Sequence, residues 1–531
     1  MAGWVFPETG YGTEYGKNDP GIETFRGDPY PSLAREPIQN SLDAKREGIT
    51  EPVIVKFETI KITGENFPNK NELMKVLELC KKEADGNDET VREYENAIET
   101  LKTEDIVFLR ISDFNTTGLS GSDQLRKTDW HRLIKTVGDS NKGSTSGGSF
   151  GIGKHAPFAC SNLRTVFYGT LDTEGKVAFQ GVAKLITHLD NAGKPRQGTG
   201  FFGEIEFLQP IKGKEQINPI FYRNEIGTDV FVAGFNDNEE WQTEIIKSII
   251  ESFFVAIYEG KLEVIVENKH LKADNIDSFI EEYIKKDTDY DADKYFESLT
   301  SSDSKVFIEE NFEGLGEVKL YLLNKNNFHK KIAMVRNTGM LIRAKQNYST
   351  PIKYAGVLLV KGEEFNKLLK KIENPSHTDW EINRYHNPRF AKSVINKLYR
   401  WMNEKIKELS PVNDTEEFNV EELGQFLPDD VDMAELLNEN RELEGEKGSP
   451  LEIKITKVTR NLPSKEEIFA GFEETGATSE GETDEEEDPS ITPEDDSDPE
   501  LEGEGNPNPN PNPNPNPNPN PNPNPNPNPN P

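Results

Sequence analysis

The chain has 531 residues, 34% of them hydrophobic, and a formal charge of −34. That length suffices for two to four domains, and the sign excludes a generic nucleic-acid coat, whose non-specific affinity comes from basic surface displacing counterions. Sixteen acids with no Lys or Arg among them lie between Glu473 and Glu504, and −34 less those sixteen leaves −18, so the rest of the chain is acidic too.

Two cysteines, Cys80 and Cys160, exclude a disulfide framework or a zinc cluster and suit free thiols in a reducing compartment. No run approaches the roughly twenty apolar residues of a bilayer span, and Met1–Tyr15 lacks a basic-then-apolar leader. The expectation is a cytoplasmic protein with no membrane partner.

In chain order, a polar entry leads into a helix around Leu33–Glu47 and a strand, Val53–Ile62. Helical stretches at about Lys70–Ala84 and Glu89–Lys102 read as a hairpin inserted at about 66–104. Ile106–Ser112 is a short apolar strand that runs straight into Asp113. A polar loop rich in Gly and Ser occupies 114–149. Strands follow near Thr165–Thr170, Val177–Ile186, Gly200–Phe207 and Thr228–Phe235.

From Glu239 to Tyr258, Ile245, Ile246, Ile249, Ile250, Phe253 and Phe254 recur at helical spacing, which core packing explains. A second αβ region runs to about Leu409. It holds strands Val318–Leu323, Ile332–Val335 and Ala355–Val360 and a final amphipathic helix, Phe390–Leu409. Residues 411–470 read as a small extension with one strand-like stretch, Leu451–Val458. Beyond 471 comes an acidic tail that ends in thirteen Asn-Pro pairs, Asn506–Pro531. Every second residue of that repeat lacks an amide donor, so it forms neither helix nor core and reads as a disordered tail.

Three stretches carry chemistry. In Arg35–Ala44, Glu36, Asn40 and Asp43 fall at i, i+4 and i+7, on one helical stripe. There Asn40 can offer an amide oxygen to a hard cation, and Glu36, one turn away, can orient or deprotonate a water. A solvated helix face explains the same three residues taken alone. In Ile111–Leu119 an apolar strand delivers Asp113 to a pocket edge, where it can accept a hydrogen bond from an exocyclic amine; an ordinary Asx-turn is the alternative.

In Gly147–His155, close glycines let backbone amides approach phosphate oxygens, and Lys154 can neutralise charge there. Gly148-x4-Gly153-Lys154 also approaches a P-loop, with His155 where Ser or Thr should hold magnesium. Gly151-x-Gly153-x-x-Ala156 approaches a dinucleotide fingerprint. Both of those templates need a strand immediately before them.

Together, in this order and spacing, the three stretches resemble the pocket of the GHKL ATPases: gyrase-type topoisomerases, ninety-kilodalton heat-shock chaperones, histidine kinases and MutL. The resemblance implies an α+β fold, a Bergerat ATP-binding sandwich over residues 1–236 in which helices cover one face of a mixed sheet. It implies ATP and Mg2+ as cofactors, with Glu36 and Lys154 catalytic and Asn40 on the metal. Asp113 would take the adenine, with Thr228 of Gly227–Phe231 near the base. Asp43, Gly118, Gly148, Gly151, Gly153 and Lys154 complete the expected cofactor contacts.

Two departures stand out. Asn115 occupies the place of the first glycine in D-x-G-x-G with one residue extra, and Asn tolerates positive φ. Pro37 follows the expected base, and proline costs about 3 kcal/mol in a helix interior.

Val335–Ile342, Ala355–Val360 and Glu373–Trp380 are similar in order to the transducer domain of MORC-type ATPases, which implies an α/β transducer-like domain over 237–410. Asp379 stands where that family has the Lys that reaches the γ-phosphate, leaving Lys345, Arg343 or Arg384 to substitute. The resemblance implies an ATP-hydrolysing protein whose lid, residues 114–153, closes on nucleotide and pairs two protomers as a clamp or switch. DNA in bacterial genome defence is the first expected target. A chaperone-like or regulatory ATPase with a protein client, or a non-hydrolysing adaptor with partner subunits, is the alternative.

Overall fold

The computed structural model describes residues 2–27, 29–136, 153–346, 350–374 and 378–409. The extension read over 411–470 and the Asn-Pro tail lie outside them. Strands β1 (Ala2–Val5), β2 (Val53–Thr63), β3 (Asp105–Phe114), β4 (Ser161–Leu171) and β5 (Val177–Lys184) come first. The short hairpin β6–β7 (His188–Leu189 and Pro195–Arg196) precedes β8 (Thr199–Glu204), β9 (Gly227–Phe235), β10 (Leu262–Val266) and β11 (Lys269–Leu271). All but that hairpin form one mixed sheet in the order β1-β8-β5-β4-β9-β3-β2-β10-β11. Only the β2–β10 pair is parallel. Strands β10 and β11, beyond the boundary read at residue 236, thus hydrogen-bond into the first sheet.

Period-two alternation sends apolar side chains to both faces of this sheet. Val55, Phe57, Leu109, Ile111 and Val232 face helices α2 (Pro29–Asp43) and α7 (Trp241–Tyr258). Further along the same face, Val166, Tyr168 and Val182 meet Ile22 of α1 (Pro20–Glu23), Trp130 and Ile134 of α5 (Asp129–Ile134), and Phe158 of α6 (Ala156–Ala159). The other face carries Ile62, Ile106, Phe108, Phe167, Phe179 and Phe231, too much apolar surface to leave in water. The hairpin α3 (Lys70–Glu83) and α4 (Asp88–Lys102) covers it with Leu73, Leu77, Ile98 and Leu101. Helices therefore lie on both faces, which corrects the expectation of one covered face.

Helix α2 starts four residues earlier and ends four earlier than its pattern predicts, so Pro37 sits in its interior. The missing N–H costs about 3 kcal/mol. Full burial of Leu33 and Ile38 offsets it, at about 1.5–3 kcal/mol for each such side chain. The chain leaves the helix early because it is captured: Arg46 N–H donates to Asn115 O at 3.0 Å and Thr117 N–H to Ala44 O at 2.9 Å.

Helix α7 is buried on nearly its whole circumference, from Ile245 to Ile257. It packs on α2 and on the second sheet, so one core runs from Leu33 to Ile406. That second sheet comprises β12 (Lys305–Glu309), β13 (Val318–Asn324), β14 (Lys331–Val335), β15 (Leu341–Lys345) and β16 (Tyr354–Val360), in the order β12-β13-β16-β14-β15. Helices α8 (Ile276–Phe279), α9 (Ala292–Thr300), α10 (Glu363–Ile372) and α11 (Pro388–Lys407) accompany it. Cys80 and Cys160 are buried free thiols. No helix among the described residues is long and apolar enough to cross a membrane.

Candidate functional site

Strand β3 runs one residue past Asp113, so the carboxylate is presented from the ladder rather than from a turn. The residue as a whole is half-buried while its carboxyl group is enclosed. Oδ1 accepts the Thr228 N–H at 2.7 Å and the Thr116 hydroxyl at 2.7 Å, and Oδ2 accepts the Ser41 hydroxyl of α2 at 3.1 Å. Burial pushes this carboxyl above its usual range, against the Arg223 charge and the three donors. Thr228 therefore contributes its backbone amide here.

The turn after β3 keeps its shape without the first glycine. Asn115 adopts φ +65°, and its side-chain amide donates to Pro52 O at 2.7 Å. Gly118 is needed where it stands: at φ +66° a Cβ would strike the Leu171 carbonyl. The adjoining Leu119 N–H donates to the Thr170 hydroxyl at 2.9 Å, and that hydroxyl donates to Gly227 O at 2.9 Å. The turn is thus tied to the ends of β4 and β9 that flank Asp113.

Glu36 and Asn40 lie half-buried on α2, upstream of Ser41. Gly153 meets Glu36 so closely that an added Cβ would collide with the carboxylate. The structure therefore brings the end of the glycine stretch onto the helix that carries Glu36 and Asn40. Gly148 and Gly151 lie outside the described residues. The nearest described element before that stretch is the helix α5, not a strand. Gly153→Ala is expected to displace the Glu36 carboxylate. If Glu36 serves the hydrolysis that the resemblance implies, phosphate-release assays would then show turnover down by about 100-fold, as for a reacting group misplaced by 1 Å, with nucleotide affinity little changed.

The Lys154 ammonium donates to Arg132 O at 3.4 Å and to Thr136 O, in and just past α5. Burial, with the Lys184 charge nearby, brings its pKa down to about 8. The neighbouring His155 ring is buried against Gly21, and burial holds it down to about 3, so it is neutral.

Asp43 does not join the others. Its side chain is 3% exposed, with Oδ1 3.3 Å from Lys370 of α10 and 4.0 Å from Arg336 in the β14–β15 turn. Arg336, 1% exposed, also pairs with Glu373 at 3.0 Å. Arg35, beside Glu36, reaches Leu341 O at 3.5 Å, within electrostatic range of Glu373, Glu251 and Arg336. The physical reason is axial distance: Asp43 shares the stripe but lies seven residues, about 10 Å, beyond Glu36 at the last position of α2, where α10 and the β14–β15 turn meet it. Of the three cations expected to substitute for the lysine that Asp379 replaces, Arg343 pairs with Asp379 itself, Arg384 pairs with Glu381, and Lys345 lies 4.6 Å above the Tyr399 ring.

Arg223 was not legible in the sequence. It is 6% exposed, donates to Asp113 O and to Asp229, and stacks 4.7 Å from Phe114. It braces the end of β3 and lowers the cost of an ionised Asp113. No local pattern marks it, because its partners lie on β3 and β9. Ser41 directly follows Asn40, yet only the packing of α2 over β3 reveals its bond to Asp113.

No family model matches the chain, and no curated protein matches it.

Proposed function

We propose that the chain binds ATP with Mg2+ and hydrolyses it, in the manner of the GHKL ATPases. The observation that carries this reading is the enclosed Asp113 carboxylate, held by the Thr228 amide and the Ser41 hydroxyl at the foot of the helix that bears Glu36 and Asn40. A carboxylate oxygen with one long neutral donor keeps acceptor capacity for an exocyclic amine. The residues also suit the metal: Asn40 offers a neutral amide oxygen on a half-buried helix face, with Glu36 one turn away. Asn40 would hold Mg2+, which when bound would supply positive charge against the phosphates. Glu36 would orient and deprotonate the attacking water, confined by the close approach of Gly153. Lys154 would turn from its carbonyl partners to the phosphates.

Nucleotide-dependent closure would pair two protomers, and the target would be DNA or a protein client, with fold-level analogy the only ground for either. Calorimetric titration with MgATP tests the reading. A free-state pKa of about 8 for Lys154 rises beside a polyphosphate, so binding at pH 8–9 takes up protons. The observed heat then varies with the ionisation enthalpy of the buffer, and at pH 6.5 it does not. Absence of any Mg2+-dependent heat would sink the proposal.

A further inference from the structure

We propose that a cavity at the end of the first sheet remote from Asp113 is a separate binding site for a compact phosphoanion such as phosphate or pyrophosphate. This inference stands apart from the nucleotide reading. Strand β4 begins at Ser161, beside the cavity, and ends at Leu171, which pairs with Gly227 near Asp113. At roughly 3.3 Å per residue the two ends are about 30 Å apart.

The cavity measures about 170 Å³ and is lined by Lys17, Glu93, Asn96, Asn162, Arg164 and Lys184 among others. A void near 150 Å³ holds a molecule of about the size of benzene, and pockets for larger ligands start at about 300 Å³. The volume therefore suits a small anion and not a nucleotide or a nucleic-acid strand. The lining holds three cations and one carboxylate, and the carboxylates that border it leave Arg164 as the cation not already matched.

The carboxylate is already occupied: Glu93 lies 3.1 Å from Arg26 and 3.7 Å from Lys17. Lys17 is also held by Glu89 at 2.7 Å, and Lys184 by Asp19 at 2.7 Å. Arg164 is different, because among the described residues its guanidinium has no ionic partner.

Arg164 is also placed by a built feature. The β4–β9 register shifts between Ser161 and Thr165, so the chain bulges there. Ser161 Oγ anchors the bulge, accepting the N–H of Leu163 at 3.2 Å and of Thr165 at 3.0 Å while donating to Ala233 O at 2.6 Å. Leu163 is fully buried, and Arg164 is left at φ +48°, a conformation L residues other than Asn and Asp rarely adopt. Arg164, with its planar and permanently charged side chain, thus lines the cavity from this bulge, in company with Asn96 and Asn162. That donor set matches phosphate oxygens.

The test is titration of inorganic pyrophosphate, without magnesium, into the full chain. Wild type should bind. Arg164→Gln should weaken binding about tenfold or more, as loss of a charge-assisted hydrogen bond does. Arg164→Lys should restore part of it, and Asn40→Ala should bind like wild type. In parallel, arginine modification by phenylglyoxal on the wild-type protein, mapped by peptide mass spectrometry, should slow at Arg164 when pyrophosphate is present. No binding by wild type, equal binding by Arg164→Gln, loss of binding in Asn40→Ala, or unprotected Arg164 would each overturn the site.

Discussion

Asp113→Asn is expected to lower ATP affinity by about 10³-fold or more while leaving the fold intact. The mutant amide keeps one acceptor and gains two donors, so whichever way it turns it cannot accept from the Thr228 N–H and Thr116 hydroxyl and also from an exocyclic amine. Sites built to hydrogen-bond a substrate N–H discriminate by about 10⁴-fold when the match is lost, because buried polar groups are left unpaired. Discrimination between ATP and GTP should shrink together with affinity. Competition binding with both nucleotides measures this, and an unchanged ATP affinity in a folded Asp113→Asn protein would remove the adenine role proposed for Asp113. Arg223 supports the same group from behind, so the mutation should not unfold β3.

The second large effect is on stability. Arg336→Ala should cost about 3–5 kcal/mol, the usual penalty for leaving a buried carboxylate without its partner. Here Glu373, wholly buried, and Asp43, 3% exposed, would both lose a cation. A drop of several degrees in melting temperature follows. Replacing Arg336 and Glu373 together by apolar residues of similar volume should recover much of the loss, because the pair's Coulomb gain is largely cancelled by desolvation. If the single mutant melts like wild type, the junction between α2 and the second sheet is not held by these charges. The same network holds Asp43, which shares a stripe with Glu36 and Asn40, against Lys370 and Arg336.

Much of this molecule was legible in local pattern. The apolar run of Ile106–Ser112 and the helical spacing of Ile245–Phe254 mark elements whose side chains must be buried. The observed strand Asp105–Phe114 and helix Trp241–Tyr258 follow them closely. Asn115 takes the positive φ that its short polar side chain permits, and Glu36 and Asn40 share a helical stripe because that spacing is intrinsic to the α-helix. These are properties of a few consecutive residues, and a sequence states them directly.

What only the tertiary structure decided are the relations between distant stretches. The helical hairpin 70–102 lies on the face opposite α2 because Phe108, Phe167 and Phe231 needed cover there. Arg223, 110 residues beyond Asp113, became its brace, Asp43 was drawn to Lys370 and Arg336, and Lys154 turned to the carbonyls of α5. Each outcome depends on which surfaces meet when sheet and helices pack, a long-range competition among burial, charge and hydrogen bonding that no window of neighbouring residues contains.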